Sequence, residues 1–288
     1  MKSSINKLKN IKENLLQVFD KFFPNQRREK LFPKEFDFSK SPKFSESEIY
    51  FINELIEPRK TVIDVGANIG NYIHCLDISN KHKRILAFEP IPQLFKRLKA
   101  LFPKIEIYDI ALSNSKGTQI FKIPIIQDRQ YQTRASLESN KAEENETGSI
   151  NFSVETNTID LFLQEKSIND LAFIKIDVEG HEDSVLMGAQ KSIQFQRPLL
   201  MVEIEQRHHQ NKSLKEIFQL VLQHKYNGYF FNQNSNTLLS IDDFVLEQHQ
   251  NFSNLKTSNY HNNFIFVPQE RDLGLEQTNK IIRNRLKI

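Results

Sequence analysis

From residue 46 onward the apolar positions switch between two spacings. Short, β-branched or continuous apolar runs occupy 61–65, 84–88, 105–108, 117–123, 173–178 and 198–203 and read as strands. Between them, apolar residues recur three and four apart over 46–56, 68–79, 92–101, 158–164, 181–192 and 213–224, the signature of helices with one buried face. In 92–101, Leu94, Phe95 and Leu98 form that face. Strands alternating with helices predict an α/β fold built on a doubly wound, mostly parallel sheet. The runs 229–232 and 263–267 are expected to pair as a closing antiparallel hairpin. Residues 127–150 are polar and poor in apolar side chains, so a long loop is expected there, disordered or lying over a site.

Before residue 46 the pattern differs. Ile5, Leu8, Ile11, Leu15, Leu16, Phe19, Phe22 and Phe23 follow helical spacing with lysines between them, until Pro24, Pro33 and Pro42 interrupt it. Residues 1–34 carry nine Lys/Arg against three acids, although the whole chain of 288 residues is only +3. We therefore divide the chain into a basic amphipathic arm (1–45), a main domain (46–270) and a tail (271–288) expected to be a short basic helix. The arm reads as a helix capping the main domain or one touching an anionic membrane surface. A single cysteine, Cys75, excludes an intrachain disulfide and suits a reducing compartment. No apolar run approaches the ~18–20 residues of a transmembrane helix, and no signal-peptide core is seen. A soluble, cytoplasmic protein is expected, with peripheral membrane contact through 1–34 as a further possibility; oligomeric state is not legible.

The chemistry begins at KTVIDVGANIG (60–70). A strand ending in an acid, then two glycines, then a helix is how an α/β domain brings backbone N–H groups up to a ligand. A dinucleotide site needs glycine at the middle position, where Asn68 stands, and a P-loop needs a following Gly-Lys-Ser/Thr that is absent. Asp64 would repel a pyrophosphate but suits a ligand with a cationic amine, which points to S-adenosylmethionine. Glu89, ending the next strand, is placed to accept both hydroxyls of a ribose. Asp109 and Ile110, ending the third, suit an exocyclic adenine amine and the purine face, although Asp109 also reads as a simple turn acid.

Together the segments VIDVGANIGNY (62–72), AFEPIPQLFKRLKA (87–100), ALSNSKG (111–117), TIDLFLQ (158–164), FIKIDVEGHEDSVLMGA (173–189) and LLMVEIE (199–205) resemble the FkbM family of S-adenosylmethionine-dependent methyltransferases. The resemblance spans about 55–205 and leaves out the arm, the 127–150 loop and the tail. It implies a class I, Rossmann-like methyltransferase fold and methylation of a hydroxyl oxygen on a sugar, glycan or related metabolite. It also implies that Asp64, Gly66, Asn68, Gly70 and Asn71 cradle the methionine end, Glu89 the ribose, and Asp109 with Ile110 the adenine.

Methyl transfer to an alcohol needs a base to take the hydroxyl proton. In KIDVEGHE, Lys175, Asp177 and Glu179 share one face of an extended segment, and His181 opens the helix that follows. His181 is the preferred general base, with Asp177 or Glu179 orienting it or the acceptor. An alternative has Asp177, Glu179 and Glu203 sharing a divalent cation that acidifies the hydroxyl, but no metal is assigned. His208 and His209, after the strand ending at Glu205, could reach the site but read rather as a surface-loop pair, and Cys75 reads as a small buried side chain. Nucleic acid is not an expected partner, because neither an Asn/Asp-Pro-Pro-aromatic turn nor a Pro-Cys nucleophile occurs. A non-catalytic S-adenosylmethionine-binding scaffold is the remaining rival.

Overall fold

The structure is a computed structural model that describes residues 48–286, apart from 128, 131–133, 139–144, 210, 233, 252, 254–256 and 258. The arm (1–45) lies outside the described residues. The chain opens with α1 (Glu48–Leu55), β1 (Thr61–Val65), α2 (Asn71–Ser79), β2 (Arg84–Phe88), α3 (Pro92–Leu101) and β3 (Glu106–Tyr108). An excursion follows through β4 (Ala111–Leu112), β5 (Gly117–Ile126), β6 (Arg129–Gln130) and β7 (Glu146–Asn157). The wound pattern then resumes with α4 (Ile159–Glu165), β8 (Leu171–Ile176), α5 (Glu182–Met187), α6 (Gln190–Gln196), β9 (Leu199–Glu203) and α7 (Leu214–Leu222). It closes with β10 (Tyr226–Asn232), β11 (Thr237–Ser240), α8 (Leu246–His249), β12 (Asn263–Pro268) and α9 (Gly274–Leu286).

The main sheet has eight strands in the order β11-β10-β12-β9-β8-β1-β2-β3. β1 pairs in parallel with β2 and β8, β2 with β3, and β8 with β9, while β12 runs antiparallel to β9 and β10. This is the predicted doubly wound, mostly parallel sheet. Every residue of β1 and β8 is buried, as expected when helices cover both faces. Alternate side chains sort to the two faces. Val62, Phe173, Met201 and Ile265 pack with α1, α2 and α3, whereas Ile63, Ile174, Val202 and Phe264 pack with α4, α5 and α7. The chain winds outward from β1 in one direction and from β8 in the other, so their carboxyl ends open a crevice between them.

Local chemistry accounts for the helix starts. Thr158 caps α4 by accepting from Leu161 N at 3.0 Å, and Ser213 with Glu216 forms a capping box on α7. The helix expected over 181–192 is instead two, parting at Gly188–Ala189. A Cβ on Gly188 would stand 2.1 Å from the Ser113 carbonyl oxygen, so the chain is pinned there against the β4–β5 connection. Runs 229–232 and 263–267 do pair antiparallel, but not as a hairpin. β11 and α8 intervene, and β12 inserts between β9 and β10. The tail is a helix, α9, with Ile282 fully buried and the Asn279 amide bonded to both Leu238 N (2.6 Å) and Leu238 O (3.1 Å).

The largest departure from expectation is a second, four-stranded sheet, β4-β7-β5-β6. Its central pair runs from Gly117–Thr156 to Ile126–Glu146, taking in residues assigned to a loop. The polar composition of β7, ETGSINFSVETN, concealed a strand whose outer face is wet and whose inner face offers only Phe152 and Val154 to a small core. Among the described residues no helix is long and apolar enough to cross a membrane.

One contact fixes the centre of the fold. Gly66 has φ +83°, and a Cβ on it would lie 1.8 Å from the Asp177 carbonyl oxygen. Left-handed strain and the forced separation of β1 from β8 should together destabilise Gly66→Ala by about 3 kcal/mol or more. Urea unfolding against wild type measures it; a loss under about 1 kcal/mol would mean the two loops separate freely.

Candidate functional site

The crevice is built first by the turn after β1. Gly66 N and Ala67 N both donate to Phe88 O at 3.0 Å, which ties the turn to the end of β2. Gly66, Asn68 and Gly70 all have positive φ, and the turn closes on itself with Gly70 N donating to Ala67 O at 2.9 Å. Gly70 meets a packing need, because a Cβ there would lie 2.7 Å from the Phe102 ring and 2.9 Å from Leu98.

Glu89 leaves β2 into the same space. Its Oε2 accepts from Asn68 N and its Oε1 from Ile91 N, each at 2.8 Å. Only 3% of the residue is exposed. Burial pushes its carboxyl up to about 7, the two N–H bonds oppose that, and the Asp177 carboxylate adds to it.

On the opposite side stands the loop after β8. Asp177 N donates to Val65 O at 3.0 Å, and Glu179 and Gly180 then take positive φ. Glu182 folds back to accept from Val178 N (3.1 Å) and Gly180 N (3.0 Å), and His209 Nε2 meets its other oxygen at 2.8 Å. Although burial opposes it, these partners hold the Glu182 carboxyl below its ordinary range. His208 Nδ1 lies 3.6 Å from Glu179 Oε2. The two histidines are therefore buried braces, not a surface pair. The signal that was missed is Glu182 itself: an acid at the first turn of a buried helix needs a partner from elsewhere.

Lys175 is fully buried. Its ammonium bonds Asn263 Oδ1 at 3.3 Å, faces the Tyr72 ring at 4.9 Å, and lies 3.7 Å from Glu203 and 3.9 Å from Asp177. Burial raises the Asp177 carboxyl above its usual range, with Glu182 and Glu205 adding to the effect and Lys175 opposing it. The carboxylates that were candidates to share a divalent cation are divided: Lys175 lies close to Asp177 and Glu203, and Glu179 faces His208. Among the described residues no group of three or more His, Cys, Asp or Glu is placed to hold a metal.

His181 differs from expectation. Its Nδ1 is 2.7 Å from Glu138 Oε1 and its Nε2 is 2.8 Å from Ser113 Oγ, so both ring nitrogens are occupied within the protein. The carboxylate that orients it is Glu138, neither Asp177 nor Glu179. Its Nε2 faces the Ser113 hydroxyl and not open cleft, so a proton from an acceptor would reach it only through that hydroxyl or after the ring turns.

Of the residues singled out in the sequence, Gly66, Asn68, Glu89, Ile110, Asp177, Glu179 and His181 line one cleft that opens to solvent. Asp64, Gly70, Asn71 and Asp109 are not in its lining. Asp64 is buried within β1, Asn71 begins α2, and Asp109 is exposed beyond β3. Among the lining residues not singled out are Ala135 and Leu137, which with Phe121 wall the cleft and come from the 127–150 segment, where a loop lying over a site was one of two expectations.

A family profile described as the methyltransferase FkbM domain matches residues 64–231, more than half of the chain. The chain belongs to the FkbM methyltransferase family, whose cofactor is S-adenosylmethionine. Over 71 residues it is 32% identical to the AMB antimetabolite synthetase AmbE of Pseudomonas aeruginosa, 23% of this chain but 3% of that protein. A methyltransferase FkbM structure from Methylobacillus flagellatus shares 17% identity over 72% of this chain and 43% of its own, with a TM-score of 0.44. A TehB-like SAM-dependent methyltransferase from Corynebacterium glutamicum shares 10% over 84% and 95%, with a TM-score of 0.42. The chain thus spans under half of that FkbM structure and a small fraction of the synthetase.

The cleft fits the cofactor. Glu89 retains lone pairs beyond its two N–H bonds for ribose hydroxyls, and Phe88, Ile91, Ile110 and Leu112 offer a purine an apolar wall. A pH dependence follows from Glu89. Its folded value of about 7 exceeds the ordinary ~4.3, so between these the native state keeps a proton that the unfolded chain has lost. Its contribution to stability therefore declines as pH rises through that window. Hydroxyl donors favour the ionised carboxylate, so S-adenosylhomocysteine should bind more tightly, with proton release, as pH rises from about 6 to about 8. Calorimetric titration in buffers of different ionisation enthalpy measures this. Glu89→Gln should weaken binding roughly tenfold and flatten the pH profile; an unaltered profile would remove Glu89 from the cofactor site.

Proposed function

We propose that the protein transfers the methyl group of S-adenosylmethionine to a hydroxyl oxygen of a small acceptor, a sugar, glycan or related secondary metabolite, with Asp177 taking the hydroxyl proton. The observation that carries this reading is the place of Asp177: a carboxyl lining the cofactor cleft on the loop that touches the glycine turn, in surroundings that raise its proton affinity. When bound, S-adenosylmethionine supplies a sulfonium methyl group open to in-line displacement. The chain's part is to bind, orient and deprotonate. Gly66 and Asn68 would hold the amino-acid end, Glu89 the ribose and Ile110 the purine. Asp64, Asn71 and Asp109, outside the cleft lining, would support these from behind.

A carboxyl with raised proton affinity is a better proton acceptor than an ordinary one, and Lys175 close to Asp177 and Glu203 keeps it from rotating away. Glu182 and His209 hold the loop at its other end. The occupied nitrogens of His181 favour Asp177 over it as the base.

The test is transfer of labelled methyl to a panel of sugar and polyol hydroxyls, with oligonucleotides in the same panel. Asp177→Asn should lower kcat by about 10²–10⁴, while affinity for S-adenosylhomocysteine changes by less than about threefold. An equal loss of cofactor affinity would make Asp177 a cofactor ligand instead. Label moving only to oligonucleotides would overturn the hydroxyl acceptor, and cofactor binding without transfer to any member would favour the scaffold.

A further inference from the structure

The Ser136–Glu138 segment touches the catalytic loop at two points. Ser136 Oγ donates to Val178 O at 3.2 Å, and Glu138 accepts from His181. The segment is also bridged to β5, with Ser136 N and Lys122 N each bonded to the other residue's carbonyl at 3.0 and 2.9 Å. Ala135 and Leu137, flanking the bridge, are buried in the cleft wall.

The donor directions form one consistent chain. An ionised Glu138 can only accept, so Nδ1 of His181 carries the hydrogen. Nε2 of a neutral imidazole is then an acceptor, and the buried Ser113 hydroxyl donates to it. Gln119 Nε2, 3.4 Å from Ser113 Oγ, donates to that oxygen in turn. His181 thus joins three pieces that do not adjoin in sequence: the roof strap at Glu138, the β4–β5 connection at Ser113, and the start of α5. Ser113 and His181 are buried, whereas the Glu138 side chain is 44% exposed. The outermost link is therefore the one that can be removed with least damage to the fold.

We propose that Glu138 is a positioning residue that, acting through His181, holds the Ala135–Leu137 roof down over the cofactor cleft. It need touch neither cofactor nor acceptor. Removing its carboxylate frees His181 to turn and leaves the strap, among the described residues, to its bridge to β5, the Ser136–Val178 contact and the packing of Ala135 and Leu137. The expected result is a cofactor that leaves faster, with little change in the ligand-free fold. This inference rests on the cofactor reading of the cleft but not on the identity of the acceptor.

The experiment is calorimetric titration of S-adenosylhomocysteine into wild type, Glu138→Ala and Glu138→Gln, with amide hydrogen exchange followed over 134–138 and 178–181. Glu138→Ala should raise the dissociation constant roughly tenfold, and Glu138→Gln, which keeps an acceptor for Nδ1, roughly threefold or less. The ligand should protect both segments in wild type and lose most of that protection in Glu138→Ala, while the ligand-free unfolding midpoint stays put. Once an acceptor is in hand, KM for S-adenosylmethionine should rise by more than kcat falls. Wild-type affinity and protection in Glu138→Ala would overturn the proposal. So would a fall in its ligand-free midpoint as large as that of Ser113→Ala, which marks a merely structural link. Failure of wild type to bind would instead strike the cofactor reading itself.

Discussion

The site depends on the close approach of two loops. β1 and β8 are adjacent parallel strands, and the chain leaving each must turn within the same few ångströms. Only a residue without a side chain lets the Asp177 carbonyl come as near as it does to Gly66. That approach fixes the rest. It sets the turn whose Asn68 N–H reaches Glu89, and it brings Asp177 close enough to Glu89 for their like charges to interact. The crevice of a doubly wound sheet is thus a consequence of strand order, but its width here is set by one missing Cβ.

Buried charge is distributed around this contact with a clear asymmetry. On the β8–β9 side the carboxylates have cationic or potentially cationic company: Lys175 beside Asp177 and Glu203, His209 on Glu182, Arg207 on Glu205 at 2.5 Å. On the β2 side Glu89 has two neutral N–H donors and a nearby charge of its own sign. A buried carboxylate supported only by dipoles gives up part of its ionisation, which is why its proton is held to about 7. Ribose hydroxyls, on the proposed reading, would add the donors that its two N–H bonds leave room for.

What was legible in the chain follows the same division. β1 and β2 were readable to the residue because a strand buried on both faces is a continuous apolar run, and Gly66 and Gly70 mark the turn by elimination of other residues. Asp177 and Glu89 were legible as strand-end acids. The second sheet was not, because a strand with one wet face and two inward apolar residues looks like loop by composition. His181 was placed correctly at the head of its helix but given the wrong neighbour, since Glu138 lies 43 residues away in a segment with no readable pattern. The same holds for His209 on Glu182, which is a tertiary pairing with no local period to betray it.

The inserted sheet also explains how the two halves of the cleft are built independently. Its core of Phe121, Ile123, Ala135, Leu137 and Val154 is separate from the two large cores on the main sheet, and joins the rest through Ile91 and Leu94 at the head of α3. α3 is the helix that follows Glu89, so the insertion sits over the cofactor side. Outside the cleft lining, at the ends of β9 and β12, Glu203 receives the Asn262 amide at 2.6 Å and Glu205 receives the Tyr260 hydroxyl. Those side chains hang from segments that carry no part of the roof. The roof and this polar cluster are thus carried by separate segments, so a substitution at 203–209 or 260–263 can leave the contacts of Ala135 and Leu137 as they are.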